Sequence, residues 1–297
     1  MSAARPLPYR TLRDLLRHAV SRMIEAKVSF GHGTGNAYDE AAWLLLSTLH
    51  LPPDLLDPFL DARLTDEEIT GVLKMIDRRT RDRVPTAYLT GEAWLGEHRF
   101  RVDSRVIVPR SFIAELLRER MAPWVATPDT ARTILDLCTG SGCLAILAAL
   151  AFPDARVDAA DISADALQVA RANVDDYGLS SRVTLIESDL FSSLSDRGYD
   201  LILCNPPYVD ANSMAALPPE YRAEPALALA AGADGLDIVR RLLGEARSHL
   251  SPHGRLVVEI GHNRAALEAA YPQTPFLWTE VAAGGDFVFT LEAADLP

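Results

Sequence analysis

Cysteine is scarce and unpaired: Cys138, Cys143 and Cys204 are the only three in 297 residues, with no Cys-x-x-Cys among them. That argues against a disulfide scaffold and against a zinc site, so all three are read as reduced core residues. Long apolar runs are missing too. No stretch reaches the roughly 18–20 residues of a membrane span, and Met1 to Arg22 mixes Arg, Asp and His where a secretory leader would be apolar. A cytoplasmic protein is expected. Basic charge is also short, with 29 Lys and Arg against 41 Asp and Glu and a formal net charge of −12. Tight generic binding to nucleic acid needs a cationic face that displaces counterions, so no specific nucleic acid is expected as partner. A basic protein would be steered toward an acidic surface, which also serves plain solubility. Repeats and low-complexity segments are absent. The length suits two domains, one small and one of about 190 residues.

The first part of the chain reads as helical. Leu12, Leu15, Leu16, Ala19, Val20, Met23 and Ile24 form a stripe at helical spacing, and Tyr38 to Leu49 carries a second. A third helix is expected from Asp66 to Arg81, behind the N-cap Thr65 with Glu68 at the capping-box position. Phe30 to Asn36, with three glycines, is a loop. Residues 1–85 are therefore a small helical bundle with nothing catalytic in view.

From Ser111 onward strands and helices alternate, the pattern of a parallel sheet covered on both faces. Ile134 to Ala145 reads as a buried strand, a turn containing Asp136, Thr139, Gly140, Ser141 and Gly142, and the start of an apolar helix. Glycines there let backbone N–H groups approach a ligand. The turn is neither the G-x-G-x-x-G of dinucleotide enzymes nor a P-loop with its Lys, so an adenosyl ligand without phosphate fits better. A second strand ends at Asp161-Ile162, roughly 20 residues on, the distance at which a carboxylate reaches a ribose hydroxyl pair. Ser163 then looks like a helix N-cap, and Asp161 read without the ligand would be a capping acid. After the strand Val183 to Ile186, Asp189 is placed to accept from an adenine amino group with Leu190 beside the ring; otherwise it is a loop aspartate.

Asn205-Pro206-Pro207-Tyr208 follows the apolar run Leu201 to Leu203. Two prolines stiffen the turn and remove two donors, leaving carbonyl groups free to accept. An NH₂ group bound there would give its protons to the Asn205 carboxamide oxygen and the Pro206 carbonyl, with Tyr208 against its plane. The alternative is that Pro-Pro simply ends a strand. The long connection from Glu224 to Leu236 is expected to help close over a substrate. A last antiparallel strand is expected at Phe287 to Leu291, after a hairpin arm from Trp278 to Val281.

Taken together, these segments resemble a class I S-adenosylmethionine-dependent methyltransferase. The Asn-Pro-Pro-Tyr turn narrows the resemblance to enzymes acting on nitrogens conjugated to a planar system, either adenine N6 or a glutamine amide. Arg83 to Trp94 and Phe100 to Arg110 are similar to the strand-turn-strand linker of the protein-glutamine N5-methyltransferase family, and the resemblance extends over nearly the whole chain. Pro109-Arg110-Ser111-Phe112-Ile113-Ala114-Glu115-Leu116 is similar to the segment of the branch that modifies ribosomal protein L3, with Phe112 where that branch usually has proline. Release-factor enzymes have Pro-Arg-Pro, an acid, Thr and Glu instead. Gly284 to Phe289 also resembles the L3 branch. The resemblance implies an α/β fold with a seven-stranded Rossmann-like sheet in residues 109–297, a β-hairpin linker over 86–108 and a substrate-recognition domain over 1–85. It implies S-adenosylmethionine as cofactor, no metal, and ribosomal protein L3, free or in an assembly intermediate, as partner. The catalytic set is Asn205, Pro206, Pro207 and Tyr208; the cofactor set is Asp136, Thr139, Gly140, Ser141, Gly142, Asp161, Ile162, Asp189, Leu190 and Asn205. A release-factor enzyme, an adenine-N6 enzyme and a catalytically silent binding module are the competing readings.

Overall fold

The computed structural model describes residues 8–123, 131–194 and 198–297. They divide into two compact units, Met1–Glu92 with Pro218–Ala223, and Ala93–Leu217 with Glu224–Pro297.

The first unit contains α1 (Leu12–Glu25), α2 (Ala37–Thr48), α3 (Asp66–Thr80) and the short α4 (Thr86–Thr90). Thr11 and Thr65 cap α1 and α3 with full capping boxes, through Asp14 and Glu68. The stripe read from the sequence is the buried face of α1, where Leu12, Leu15, Leu16, Ala19 and Met23 pack on Leu44, Leu45, Ile69 and Val72. Each such side chain contributes about 1.5–3 kcal/mol on burial. Ile24, at the end of that stripe, is 63% exposed instead. Residues 86–90, expected as the start of an extended linker, are helical. Pro85 presets the backbone at the N-cap, and Gly91 in the left-handed region closes the turn.

The second unit opens with the hairpin β1 (Glu92–Leu95) and β2 (His98–Arg101), followed by α5 (Ile113–Arg118). No regular strand follows β2 before α5 among the described residues, so the hairpin is shorter than the expected linker. Then come β3 (Thr133–Leu137), α6 (Cys143–Ala151), β4 (Arg156–Asp161), α7 (Ala164–Asp176), β5 (Val183–Glu187), β6 (Tyr199–Cys204), α8 (Ala211–Ala216), α9 (Asp237–Ala246), β7 (Leu250–Glu259), α10 (Arg264–Ala270), β8 (Leu277–Val281) and β9 (Gly284–Glu292). Seven strands form one sheet in the order β5-β4-β3-β6-β7-β9-β8. The expected last strand is β9, antiparallel to β7 and β8. One apolar layer, including Leu144, Ile146, Leu147 and Val157, covers one face; Leu135, Ile202, Val239, Leu242 and Val258 belong to the other. Among the described residues no helix is long and apolar enough to cross a membrane.

Register decides where the loops go. Leu137 pairs with Ala160 on one side and Cys204 on the other, and Cys204 pairs with Val258. The residues following these strands, 138–142, 161–163, 205–208 and 259–263, therefore leave one edge of the sheet together. In open parallel sheets that carboxyl edge is where ligands bind.

Candidate active site

The turn after β3 is bent by positive φ at Cys138 (58°), Gly140 (54°) and Gly142 (78°). The two glycines serve different ends. A Cβ on Gly140 would meet nothing within 4 Å, whereas one on Gly142 would sit 3.1 Å from the Ala170 Cβ, so Gly142 lets α6 pack against α7. Cys138 adopts a left-handed backbone without being glycine, a strain found mostly where function requires it. It is only half-buried, as is Cys143, so the expectation of three core cysteines holds for Cys204 alone. The reason is local: β3 ends at Leu137, and Cys138 is the first residue of the turn.

Asp136 is 1% exposed. Its Oδ2 accepts from Thr139 Oγ1 at 2.6 Å and the Ala145 N–H at 3.0 Å, while Oδ1 has no hydrogen-bond partner among the described residues. Burial pushes this carboxyl up to about 7, against the pull of the Thr139 and Ala145 bonds and helped by the negative field of Asp161. Asp161, at the end of β4, accepts from the Gly140 N–H at 2.8 Å and the Ser163 N–H at 2.9 Å, and burial raises its carboxyl as well. It thus fixes the glycine turn and the start of α7, where Ser163 is the N-cap as expected. Ser141 is tied down by Asn173, whose amide donates to the Ser141 carbonyl at 2.8 Å and clasps the Arg101 backbone.

A cavity of about 210 Å³ opens at this edge. Gly140, Asp161, Ile162, Asp189, Leu190, Asn205 and Pro207 line it together. Asp136, Thr139, Ser141 and Gly142 do not reach its wall; they sit behind it. Pro206 is buried and Tyr208 lies outside the lining. Ile162 is half exposed, and Leu190 is buried with φ of 49°.

One contributor carried no local signal, and another lies in the long connection expected near the site. Arg241 of α9 lines the cavity and pairs with Asp189 at 3.0 Å. Pro225 and Leu227 form part of the opposite wall, and the chain entering that wall is anchored by Glu224, which accepts from Arg110 Nη2 at 2.7 Å and the Val108 N–H at 3.0 Å.

Tyr208 is held by the turn after β7. Its hydroxyl lies 3.4 Å from Glu259 Oε1, its carbonyl accepts from Asn263 Nδ2 at 2.7 Å, and its ring would be 2.7 Å from a Cβ on Gly261. Glu259, 1% exposed, also accepts from Ser111 Oγ at 2.7 Å and the Phe112 N–H at 2.8 Å. Burial raises its carboxyl; the Ser111, Phe112 and Tyr208 hydrogen bonds and the nearby Arg110 oppose the rise.

These groups fit S-adenosylmethionine. A strand-end aspartate on the cavity wall suits a ribose, the apolar surface of Ile162, Leu190 and Leu227 suits a purine, and the carboxylate of Asp136 behind the glycine turn lends a negative field that suits a cation. Comparison with known proteins agrees. Residues 114–217 match the Methyltransferase small domain family. The chain is 58% identical to "Ribosomal protein uL3 glutamine methyltransferase" of Burkholderia pseudomallei (strain K96243), covering 98% of this chain and 97% of that protein. It is 59% identical to the protein of the same name from Bordetella pertussis (strain Tohama I), covering 96% of each. The hMettl16 catalytic domain, solved with the MAT2A 3′UTR hairpin 6, shares the fold with a TM-score of 0.51 at 17% identity, over 77% of this chain and 81% of that one.

Proposed function

This chain belongs to the ribosomal protein uL3 glutamine methyltransferase family, and from that premise we propose that it transfers a methyl group from S-adenosylmethionine to the N5 amide nitrogen of a glutamine in uL3. The single observation that carries the reading is that Asn205 and Pro207 line the same cavity as Gly140 and Asp161. Part of the turn expected to present an amide thus shares one cavity with part of the set expected to hold the cofactor.

A glutamine amide is a weak nucleophile because its lone pair is delocalised into the carbonyl. When bound, S-adenosylmethionine supplies an electrophilic methyl carried on a sulfonium. Asp161 is its hydroxyl-directed anchor, Gly140 offers close backbone approach, Asp136 braces the glycine turn through Thr139 from behind the wall and acts on the cation by its field, and Asp189 with Arg241 bounds the purine end. The Asn205 carboxamide oxygen and the Pro206 carbonyl accept the two amide protons, turning the lone pair toward the cavity. Both acceptors are worth more once positive charge appears on nitrogen, so they favour the transition state over the ground state. Tyr208 confines the amide plane. The amide proton becomes acidic once the new bond forms, so the residues at the turn need not include a strong base.

We place the enzyme in the cytoplasm, acting on uL3 as a protein substrate steered by its acidic charge, with residues 1–85 recognising that substrate and 86–108 linking them to the methyltransferase domain. The test is transfer of labelled methyl to purified uL3 and, in parallel, to a release factor, with mass spectrometry of the product. Label on a uL3 glutamine is expected. Label on the release factor alone would keep the chemistry and overturn the substrate.

A further inference from the structure

We propose that Glu259 is a positioning residue for methyl transfer, acting through Tyr208 and through the Ser111-Phe112 segment. The proposal rests on the reading of the Asn205 to Tyr208 turn as the site that presents the amide.

Cys204 of β6 pairs with Val258 of β7, so the next residue of each strand, Asn205 and Glu259, emerges side by side. Glu259 is a carboxylate at the end of the apolar run Leu256-Val257-Val258, where a charge is costly to bury unless it does something specific. Both of its oxygens accept hydrogen bonds. Ser111 Oγ donates to Oε2 at 2.7 Å, the Phe112 N–H donates to the same oxygen at 2.8 Å, and Tyr208 Oη donates to Oε1 at 3.4 Å. One side chain thus joins the catalytic turn to the segment that begins α5.

The rest of the same turn fixes what Glu259 alone would leave free. Asn263 grips the Tyr208 carbonyl at 2.7 Å, and Gly261, with φ of 55°, leaves room for the ring, which any side chain would strike at 2.7 Å. The ring is held at its hydroxyl, its face and its backbone by residues 259–263. Phe112 continues the same assembly, packing on Phe287 at 5.3 Å between ring centroids. Ser111 thereby acquires a physical role: its hydroxyl is one of the donors that set the Glu259 carboxylate, and through it the tyrosine.

The experiment compares Glu259→Ala, Glu259→Gln and Ser111→Ala with the wild type by two readouts. One is hydrogen exchange of the Phe112 amide, which reports the hydrogen-bond set whatever the substrate. The other is kcat and KM for uL3, with S-adenosylmethionine affinity measured separately on the folded protein. Glu259→Ala should lose Phe112 protection and lower kcat by on the order of 10²-fold, the scale of a misplaced reacting group, with cofactor affinity within about threefold. Glu259→Gln keeps an acceptor for Phe112 and a polar partner for Tyr208, so it should restore protection and return kcat to within about tenfold of wild type. Combining Tyr208→Phe with Glu259→Ala should cost less than the product of the single losses, because the two act through one contact. Wild-type kcat in folded Glu259→Ala would overturn the proposal. So would a Glu259→Gln protein that binds cofactor yet is as slow as Glu259→Ala, since charge and not placement would then be the requirement. Should Glu259→Ala fail to fold, Glu259→Gln and Ser111→Ala carry the test, with Ser111→Ala expected between wild type and a full loss. If the wild type does not methylate uL3, the substrate reading falls by itself; unchanged Phe112 exchange in Glu259→Ala would then sink the positioning role independently.

Discussion

Buried carboxylates are held in two ways, by an arginine network in the helical unit and by neutral donors at Asp136 and Glu259 in the other unit, where Glu224 nonetheless keeps Arg110. In the helical unit Arg79 is fully buried with its guanidinium bonded to Glu40 and paired with Glu220 at 3.4 Å, while it donates to the Ser29 carbonyl at 2.8 Å. Thr34 and Thr86 also donate to Glu40, and Arg83 and the Ser29 N–H donate to Glu220 Oε1, while Glu220 Oε2 has no hydrogen-bond partner among the described residues. Burial alone would raise the Glu220 carboxyl, but backbone donors, Arg83 and Arg79 together hold it below its ordinary value. In the methyltransferase unit Asp136 and Glu259 are just as buried, but hydroxyl and amide donors hold them and both carboxyls are raised. A compensated charge inside a fold serves the fold; an under-compensated one is held ready for a ligand or a reacting group.

Arg79→Ala should give the largest change, because it leaves Glu40 buried without its cation and Glu220 with Arg83 in place of two arginines. A loss of about 3–5 kcal/mol from the helical unit is expected by denaturant unfolding, with the cofactor affinity of the folded protein unaltered. A loss under about 1 kcal/mol would mean that the network is incidental.

Asp136→Asn should act with the opposite sign on stability. The folded protein binds the Asp136 proton more tightly than the unfolded chain, so the stability this group contributes is full below the ordinary carboxylate value of 3.8 and is lost as pH rises through about 7. Relative to wild type, Asp136→Asn should therefore be more stable at pH 8 than at pH 4, by about 2–4 kcal/mol. It should also bind S-adenosylmethionine more weakly, by roughly three- to tenfold, as the cation loses the field of a carboxylate behind the glycine turn. Equal affinity would remove Asp136 from the cofactor site.

The same titration predicts a smaller effect in the unaltered enzyme. A cationic ligand selects ionised Asp136, so its Kd should rise by up to about tenfold for each pH unit below 7, read by calorimetry in several buffers. A flat profile from pH 5 to 8 would sever the link between that carboxylate and the cofactor. Smallest of all, Ser111→Ala should cost about 0.5–1.5 kcal/mol of stability, the net value of one hydrogen bond.

Much of this architecture was legible in the chain itself, and the exceptions share a cause. The α1 stripe, the Thr65 and Ser163 caps and the antiparallel β9 are local patterns, so periodicity and capping chemistry exposed them. The helical turn at Thr86–Thr90 was missed because five residues are too few to show a period. Glu220 lies 191 residues from Ser29, and nothing in Pro218–Ala223 announces that it joins the helical unit. Arg79 reads as solvated, since it belongs to a basic run at the end of α3. Arg241 reaches the cavity from a helix, and Arg110 finds Glu224 beside the wall residues Pro225 and Leu227, through contacts that only the fold makes. Glu259 did leave a trace, a single acid between Val258 and Ile260, but its three donors come from Ser111, Phe112 and Tyr208, which no spacing rule connects.

The central claim is a division of labour at one cavity, with the glycine turn and Asp161 holding the cofactor and the Asn205 to Tyr208 turn presenting the amide. Asn205→Ala tests it most directly, with S-adenosylmethionine affinity and single-turnover methylation of uL3 measured on the same preparation. Cofactor Kd within about threefold of wild type and a transfer rate lower by about 10²–10³-fold are the predicted results. Transfer at more than about a tenth of the wild-type rate would contradict the account, whatever the cofactor affinity proved to be.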